Sequence, residues 1–258
     1  MPTKRQHFFD PRHYQIRAGF PAEYAHGAIV EPHRHPWHQL TFASQGVVTV
    51  TTREGSWVVP THRGLWVPAR TRHWLEMSGT VSLRALYVAP TLSTTLPDKC
   101  CVVEISPLMR ELILRVSELK GLNSHIPLHS HLVPVMLDHL HLMQSDPIHL
   151  PLPRDGRAKR IVSLLGQEPA NRKPLGELAK TAGASKRTLE RLFKSETGLG
   201  FGKWRQQFRL GHALRLLAAG QAVTSVALDV GYESPSAFIS AFRMTFGQTP
   251  GEYFRSAY

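Results

Sequence analysis

Three histidines and a glutamine, His33, His35, Gln39 and His73, carry the side chains in this 258-residue chain best suited to holding a metal. On a strand, residues of equal parity share a face, so His33, His35 and Gln39 point one way and His38 the other. His73 on a facing strand then completes a set suited to zinc, nickel, iron or manganese. Gln39 is a weaker ligand than a carboxylate, and a His-x-His pair on a strand also serves as ordinary polar lining, so both readings stand. Trp37, Trp57, Trp66 and Trp74 crowd the same stretch with Phe42 and Tyr87. They are either core or the wall of a pocket for a small, largely apolar or planar effector. The adjacent Cys100 and Cys101 read as ordinary side chains near a linker, with redox or thiophilic chemistry as the alternative.

The second candidate chemistry is recognition of a polyanion. The net charge is +12 and uneven: residues 151–258 hold 17 Lys and Arg against 8 Asp and Glu, whereas residues 1–150 hold 14 against 11. Fourteen of the 15 histidines lie in the first 150 residues. A basic half implies nucleic acid. Within it, Ala179 with Gly183, and Ala227 with Gly231, stand where two helices touch and the chain must turn. Ser185 and Ser234 follow as N-caps. In the helix after Ser185, Leu189, Leu192 and Phe193 form a buried stripe, while Lys186, Arg187, Glu190, Arg191 and Lys194 face outward. After Ser234, Phe238, Phe242 and Phe246 recur every four residues, leaving Pro235, Ser236, Ile239, Ser240 and Arg243 for the surface.

These groups need elements to position them. Short β-branched alternating runs with turns every eight to twelve residues, such as 45–52, 57–60, 65–68 and 81–88, predict an antiparallel sandwich or barrel up to residue 97. Helical spacing then predicts helices near 107–119 and 128–144, the second with Leu132, Val135, Met136, His139, Leu140 and Met143 on one face. Three prolines within 147–153 mark 146–156 as a linker. Helices are predicted at 157–168, 175–182, 186–197, 201–218, 223–229, 235–246 and about 250–256, with helix-turn-helix motifs over 175–196 and 223–246. The helix over 201–218 is a strut between the two motifs. The chain has no apolar run of membrane-spanning length, no secretory leader and no disulfide framework, which predicts a cytoplasmic protein.

The C-terminal hundred residues resemble the AraC/XylS family of bacterial transcription regulators. The resemblance is carried by Arg209-Leu210, Ala213, Leu216-Leu217, Val226-Ala227, Val230-Gly231-Tyr232, Ser234, Phe238, Phe242-Arg243, Phe246-Gly247 and Thr249-Pro250. It implies that Arg187, Thr188, Glu190 and Arg191 lie near base edges or phosphates, with Pro235, Ser236, Ala237, Ser240 and Arg243 as their counterparts in the second motif. Most of that second set is too small for bidentate base contacts, so the first helix is expected to carry direct readout. Gly27, His33, His35, Gln39 and Gly46 have the spacing of the first cupin motif, with glutamine for the usual glutamate. Pro68 to His73 resembles the second, with Arg70 for the usual glycine. The fold implied is an N-terminal all-β cupin-like jelly-roll barrel (1–97), a helical dimerisation region (98–145), a linker, and an all-α tandem helix-turn-helix domain (157–258).

The function implied is an effector-controlled regulator of transcription, not an enzyme, with no cofactor assigned and a divalent metal in the barrel (zinc, nickel, iron or manganese) as the one candidate. Its expected partners are double-stranded promoter DNA, a small-molecule or metal effector, a second copy of the chain and RNA polymerase, with no membrane. The rivals are a metal-dependent dioxygenase or isomerase fused to a DNA-binding domain, and an architectural DNA binder.

Overall fold

The computed structural model describes residues 15–19, 21–61, 63–92, 96–119, 121–123, 125–142, 145–146 and 149–255. The N-terminal half is one antiparallel sheet of β1 (Ile16–Ala18), β2 (Ala22–Tyr24), β3 (Ile29–His33), β4 (His38–Thr51), β5 (Gly55–Val59), β6 (Arg63–Val67), β7 (His73–Val88), β8 (Cys101–Glu104), β9 (Ser145–Asp146) and β10 (His149–Pro151). The long strands β4 and β7 pair along most of their length and form its spine. Their register shifts between Ala43 and Val47, and that bulge exchanges the faces of β4. Before it, Leu40 and Phe42 face one core; after it, Val48 and Val50 join Trp57, Val59, Leu65 and Met77 in a second, around which the sheet wraps.

The first core is closed by α1 (Pro107–Glu118) and α2 (Pro127–Leu142), whose Met109, Ile113, Val116, Val133, Met136 and Leu140 pack on Leu40, Phe42, Trp66, Leu86 and Val88. The Ser106 side chain caps α1 by accepting from the Met109 amide, and Pro107 stands where its missing N–H costs nothing. Val135, expected with the packed face of α2, is 40% exposed instead, because the buried face runs through 129, 133, 136 and 140 and position 135 lies off it. Met143, assigned to the same face, lies outside the described residues.

The segment boundaries also differ from expectation. The sheet does not end at residue 97, since β8 pairs with β6. The proline-rich 146–156 is not a free linker: β10 adds to the edge of β5, and the Trp204 indole donates to the Pro151 carbonyl at 2.7 Å. Proline lacks a donor but keeps its acceptor, so an edge strand tolerates it.

The C-terminal half is helical: α3 (Gly156–Gln167), α4 (Leu175–Thr181), α5 (Lys186–Thr197), α6 (Phe201–Ala218), α7 (Val223–Asp229), α8 (Pro235–Phe246) and α9 (Pro250–Arg255). Two cores lie at the ends of α6. One joins Ile161, Leu178, Leu189 and Phe193 to Trp204. The other joins Leu210, Ala213 and Leu214 to Val226, Phe238 and Phe242, and takes in Val47 and Val58 of the sheet. The sheet thus packs directly on the helix that links the two motifs.

Candidate effector site and nucleic-acid interface

Strands β3 and β7 place His33 opposite His73, with ring centroids 4.4 Å apart. His35 follows β3, its ring 5.3 Å from His73, and its carbonyl accepts the Arg70 amide at 2.7 Å, which ties the two histidine-bearing segments together. One ring nitrogen from each of His33, His35 and His73 lies within 4.8 Å of the others. Each Nδ1 is taken by a backbone carbonyl: Glu31 at 2.8 Å, Trp37 at 2.8 Å and Thr71 at 2.9 Å. A neutral ring that donates from Nδ1 carries its lone pair on Nε2, the arrangement a metal ligand needs.

His73 Nε2 is buried and has no hydrogen-bond partner. Burial pulls the His73 pKa down to about 4, reinforced by its neighbours His33 and His35, and burial likewise lowers that of His35. Both rings are therefore neutral at pH 7. Gln39 Oε1 lies 2.6 Å from His35 Nε2, and Gln39 Nε2 donates to Thr41 Oγ1 at 2.6 Å. With His35 Nδ1 already donating, the contact is satisfied when the amide is turned so that its NH2 group faces the imidazole. The donor set fits a borderline divalent metal: three imidazoles with the Gln39 amide beside them. His38 faces away, stacked on Trp66.

The six aromatic candidates do not share one pocket. Tyr87 alone joins the histidines; it sits opposite Gln39 in the strand register, with its ring edge-on to His35 at 5.2 Å. Burial raises its phenol pKa. Phe42 and Trp66 lie beneath α1 and α2, where the Trp66 indole donates to the Pro97 carbonyl. Trp57 is in the core inside the sheet, Trp37 is buried, and Trp74 is half-buried. The bulge in β4 makes this division, because it turns residues of one parity toward different cores on its two sides.

In the helical half, the chain turns between α4 and α5 at Gly183 (φ +64°) and between α7 and α8 at Gly231 (φ +85°). Ser185 accepts from the Thr188 amide and Ser234 from the Ala237 amide, so both second helices start at a side-chain cap. Lys186, Arg187, Glu190, Arg191 and Lys194 are exposed on α5, with Thr188 half-buried beside Ser185. Lys186 faces Glu190 at 3.8 Å, and the Lys194 ammonium donates to the Gly198 carbonyl at the helix end. On α8, Ser236, Ala237, Ser240 and Arg243 are exposed and Pro235 is half-buried.

Comparison with known proteins gives the same division of the chain. Residues 20–125 match the AraC-like ligand binding domain, and residues 178–256 match a helix-turn-helix domain. Over 243 residues, 94% of this chain and 89% of the other, it is 34% identical to the HTH-type transcriptional regulator NimR of Escherichia coli K12. The chain belongs to the AraC family of transcriptional regulators.

The HTH-type transcriptional regulator RipA of Corynebacterium glutamicum is 37% identical over 103 residues, 40% of this chain and 31% of that protein. Among solved structures, ToxT of Vibrio cholerae is 11% identical with a TM-score of 0.40, covering 93% of this chain and 97% of that one. By its two domain matches and its identity to NimR, this AraC-family chain is a DNA-binding regulator with an N-terminal ligand-binding domain. Among the described residues no helix is long and apolar enough to cross a membrane. Sequence reasoning assigned no site role to three arginines. Arg70 has a positive φ of 65°, a glycine-like conformation, at the turn into His73. Its only signal was an arginine where the cupin motif has glycine. Arg209 and Arg215 lie on α6, where the apolar pattern drew attention instead.

Proposed function

We propose that this regulator binds promoter DNA through α5 and α8 and that a divalent metal held by His33, His35 and His73, with Gln39 and Tyr87 beside them, controls that binding. The observation that carries the metal reading is the convergence of three imidazoles whose Nδ1 atoms are all committed to carbonyls, with His73 Nε2 buried and unpartnered. Arg187 and Arg191 are the base-reading side chains, and Arg243 meets phosphate. Exposed Leu108, Leu114, Ile126, Leu128 and Val135 on and beside α1 and α2 support pairing with a second copy, which would double the recognition helices on DNA. No residue here is assigned to catalysis.

Elemental analysis of the untagged protein beside a His33→Ala/His73→Ala variant tests the metal. Stoichiometric metal lost in the variant supports it; its absence from the native protein, or its retention in the variant, overturns it. Fluorescence anisotropy on a DNA site selected from random sequence, with metal bound and with metal stripped, then tests control. Equal affinities in the two states would remove the metal's regulatory role and leave the DNA reading intact.

A further inference from the structure

The sheet and the helical half enclose a cavity of about 150 Å³ between them. Its apolar wall comes from both: Val58 on β5, Leu150 on β10, Val162 on α3, Phe208 on α6 and Phe246 on α8. A dry cavity on the order of 150 Å³ is large enough to hold benzene. Gln207, His212 and Arg215, all on α6, supply the polar part. The Gln207 Oε1 atom is buried with no hydrogen-bond partner.

Arg215 is the unusual member. It is half-buried, and its side-chain hydrogen-bond partner among the described residues is His212, whose Nδ1 lies 2.7 Å from its Nη2. Burial, aided by the adjacent guanidinium, pulls the His212 pKa down to about 4, so that ring is neutral and does not offset the charge. Glu76 on β7 favours the charged form from a distance, but no carboxylate of the described residues reaches ion-pair range of Arg215. A guanidinium partly withdrawn from water without an anion in contact is under-solvated, and a carboxylate that meets its planar fork offsets that cost.

We propose that this cavity is a second small-molecule site, separate from the histidine cluster, that takes a compact carboxylate of benzoate size with its apolar body among Phe208, Phe246 and Val58 and its carboxylate on Arg215. Because the walls come from the sheet and from α6 together, an occupant binds only the arrangement in which the two halves are docked. It therefore favours that arrangement.

Isothermal titration of the full chain with benzoate, cyclohexanecarboxylate and the neutral benzamide tests this. Both acids are expected to bind one per chain, and benzamide at least tenfold more weakly. Arg215→Gln removes the preference for the acids. Val162→Phe, which fills the cavity and leaves Arg215 in place, weakens both acids at least tenfold, and it carries the test if Arg215→Gln does not fold. His33→Ala/His73→Ala binds the acids as the native chain does. Three results would overturn the proposal: no saturable binding up to about 10 mM, equal affinity for benzamide and benzoate, or native affinity in Val162→Phe. Loss of binding in the histidine variant would also overturn it, by placing the acids in the barrel.

Discussion

The two helix-turn-helix motifs contain an internal control for the cost of crowding a turn. Gly183 and Gly231 occupy the same place in each motif, and both have positive φ, +64° and +85°. Alanine in that conformation costs about 1–2 kcal/mol, partly offset because alanine also restricts the unfolded chain. At Gly183 that is the whole cost, since an added Cβ meets nothing nearer than Arg160 Nη2 at 4.0 Å. At Gly231 the Cβ would stand 2.7 Å from Arg209 Nη2 and 3.0 Å from the Ala170 carbonyl. The guanidinium is held by its bond to the Asn171 carbonyl at 2.9 Å, and the Ala170 oxygen is backbone, so relief requires the chain before α4 to shift. Overpacking of this kind adds about 1–3 kcal/mol. Gly183→Ala should therefore cost about 1 kcal/mol and Gly231→Ala about 2–4 kcal/mol. For a chain of this size these losses correspond to Tm falls of roughly 2–4 °C and 4–16 °C. Thermal and urea unfolding followed by circular dichroism would measure both. Equal losses, or a larger loss at Gly183, would refute the argument that neighbouring atoms decide the difference.

Further outcomes follow from single groups. Arg187→Ala and Arg191→Ala should each weaken binding to a selected site by roughly 1–3 kcal/mol if they read bases bidentately, and anisotropy titrations would find native affinity in both if they do not. Arg70→Gly should stabilise the protein by up to about 1 kcal/mol, because glycine takes positive φ without strain while giving back part of that gain in the unfolded chain; a midpoint in urea lower than native would contradict it. Metal-stripped protein should lose stability as pH falls from about 6.5 toward 4. Over that range unfolded His73 takes a proton that the folded ring, with its pKa near 4, refuses, and below 4 the loss levels off. The ceiling from this residue is roughly 3 kcal/mol, and urea midpoints that stay flat between those pH values would exclude the effect.

The helical half was legible because its punctuation is chemical and local. Ser185 and Ser234 cap, Gly183 and Gly231 turn, and Phe238 and Phe242 recur at helical spacing, so each predicted helix lies within a residue or so of its place. The histidine cluster was legible through motif spacing; strand parity does not relate His33, His35 and Gln39, because β3 ends at His33 and β4 begins only at His38. The aromatic residues were not, because the bulge between Ala43 and Val47 reverses faces along β4 and nothing in the composition announces it. The same local reading took the prolines near β10 for a break, although an edge strand needs only acceptors on its paired side. Arg215 stayed hidden because a cation on an amphipathic helix ordinarily faces water, whereas here the sheet packs against α6.

That packing also bears on how the two halves communicate. Strand β4 carries Gln39 beside His35 at one end and, past the bulge, Val47 in the core shared with Leu210 and Leu214 of α6. Strand β7 carries His73 and, six residues on, Gly79 with a positive φ of 76°, where an added Cβ would stand 2.6 Å from the Ala218 carbonyl of α6. Both strands therefore run from the histidine cluster to the helix that links the two DNA-reading motifs. At about 3.3 Å per residue the eight residues from Gln39 to Val47 span roughly 26 Å, too far for direct electrostatic influence through water at physiological salt. Any effect of an occupant at the histidines on α5 or α8 must then travel through these strands as a change in how the sheet seats on α6. Contiguity alone does not measure coupling. A double-mutant cycle does: Val58→Ala loosens the seat, and its effect on DNA affinity should differ between metal-bound and metal-stripped protein. Additive effects would mean that the cluster and the seat act on DNA binding independently.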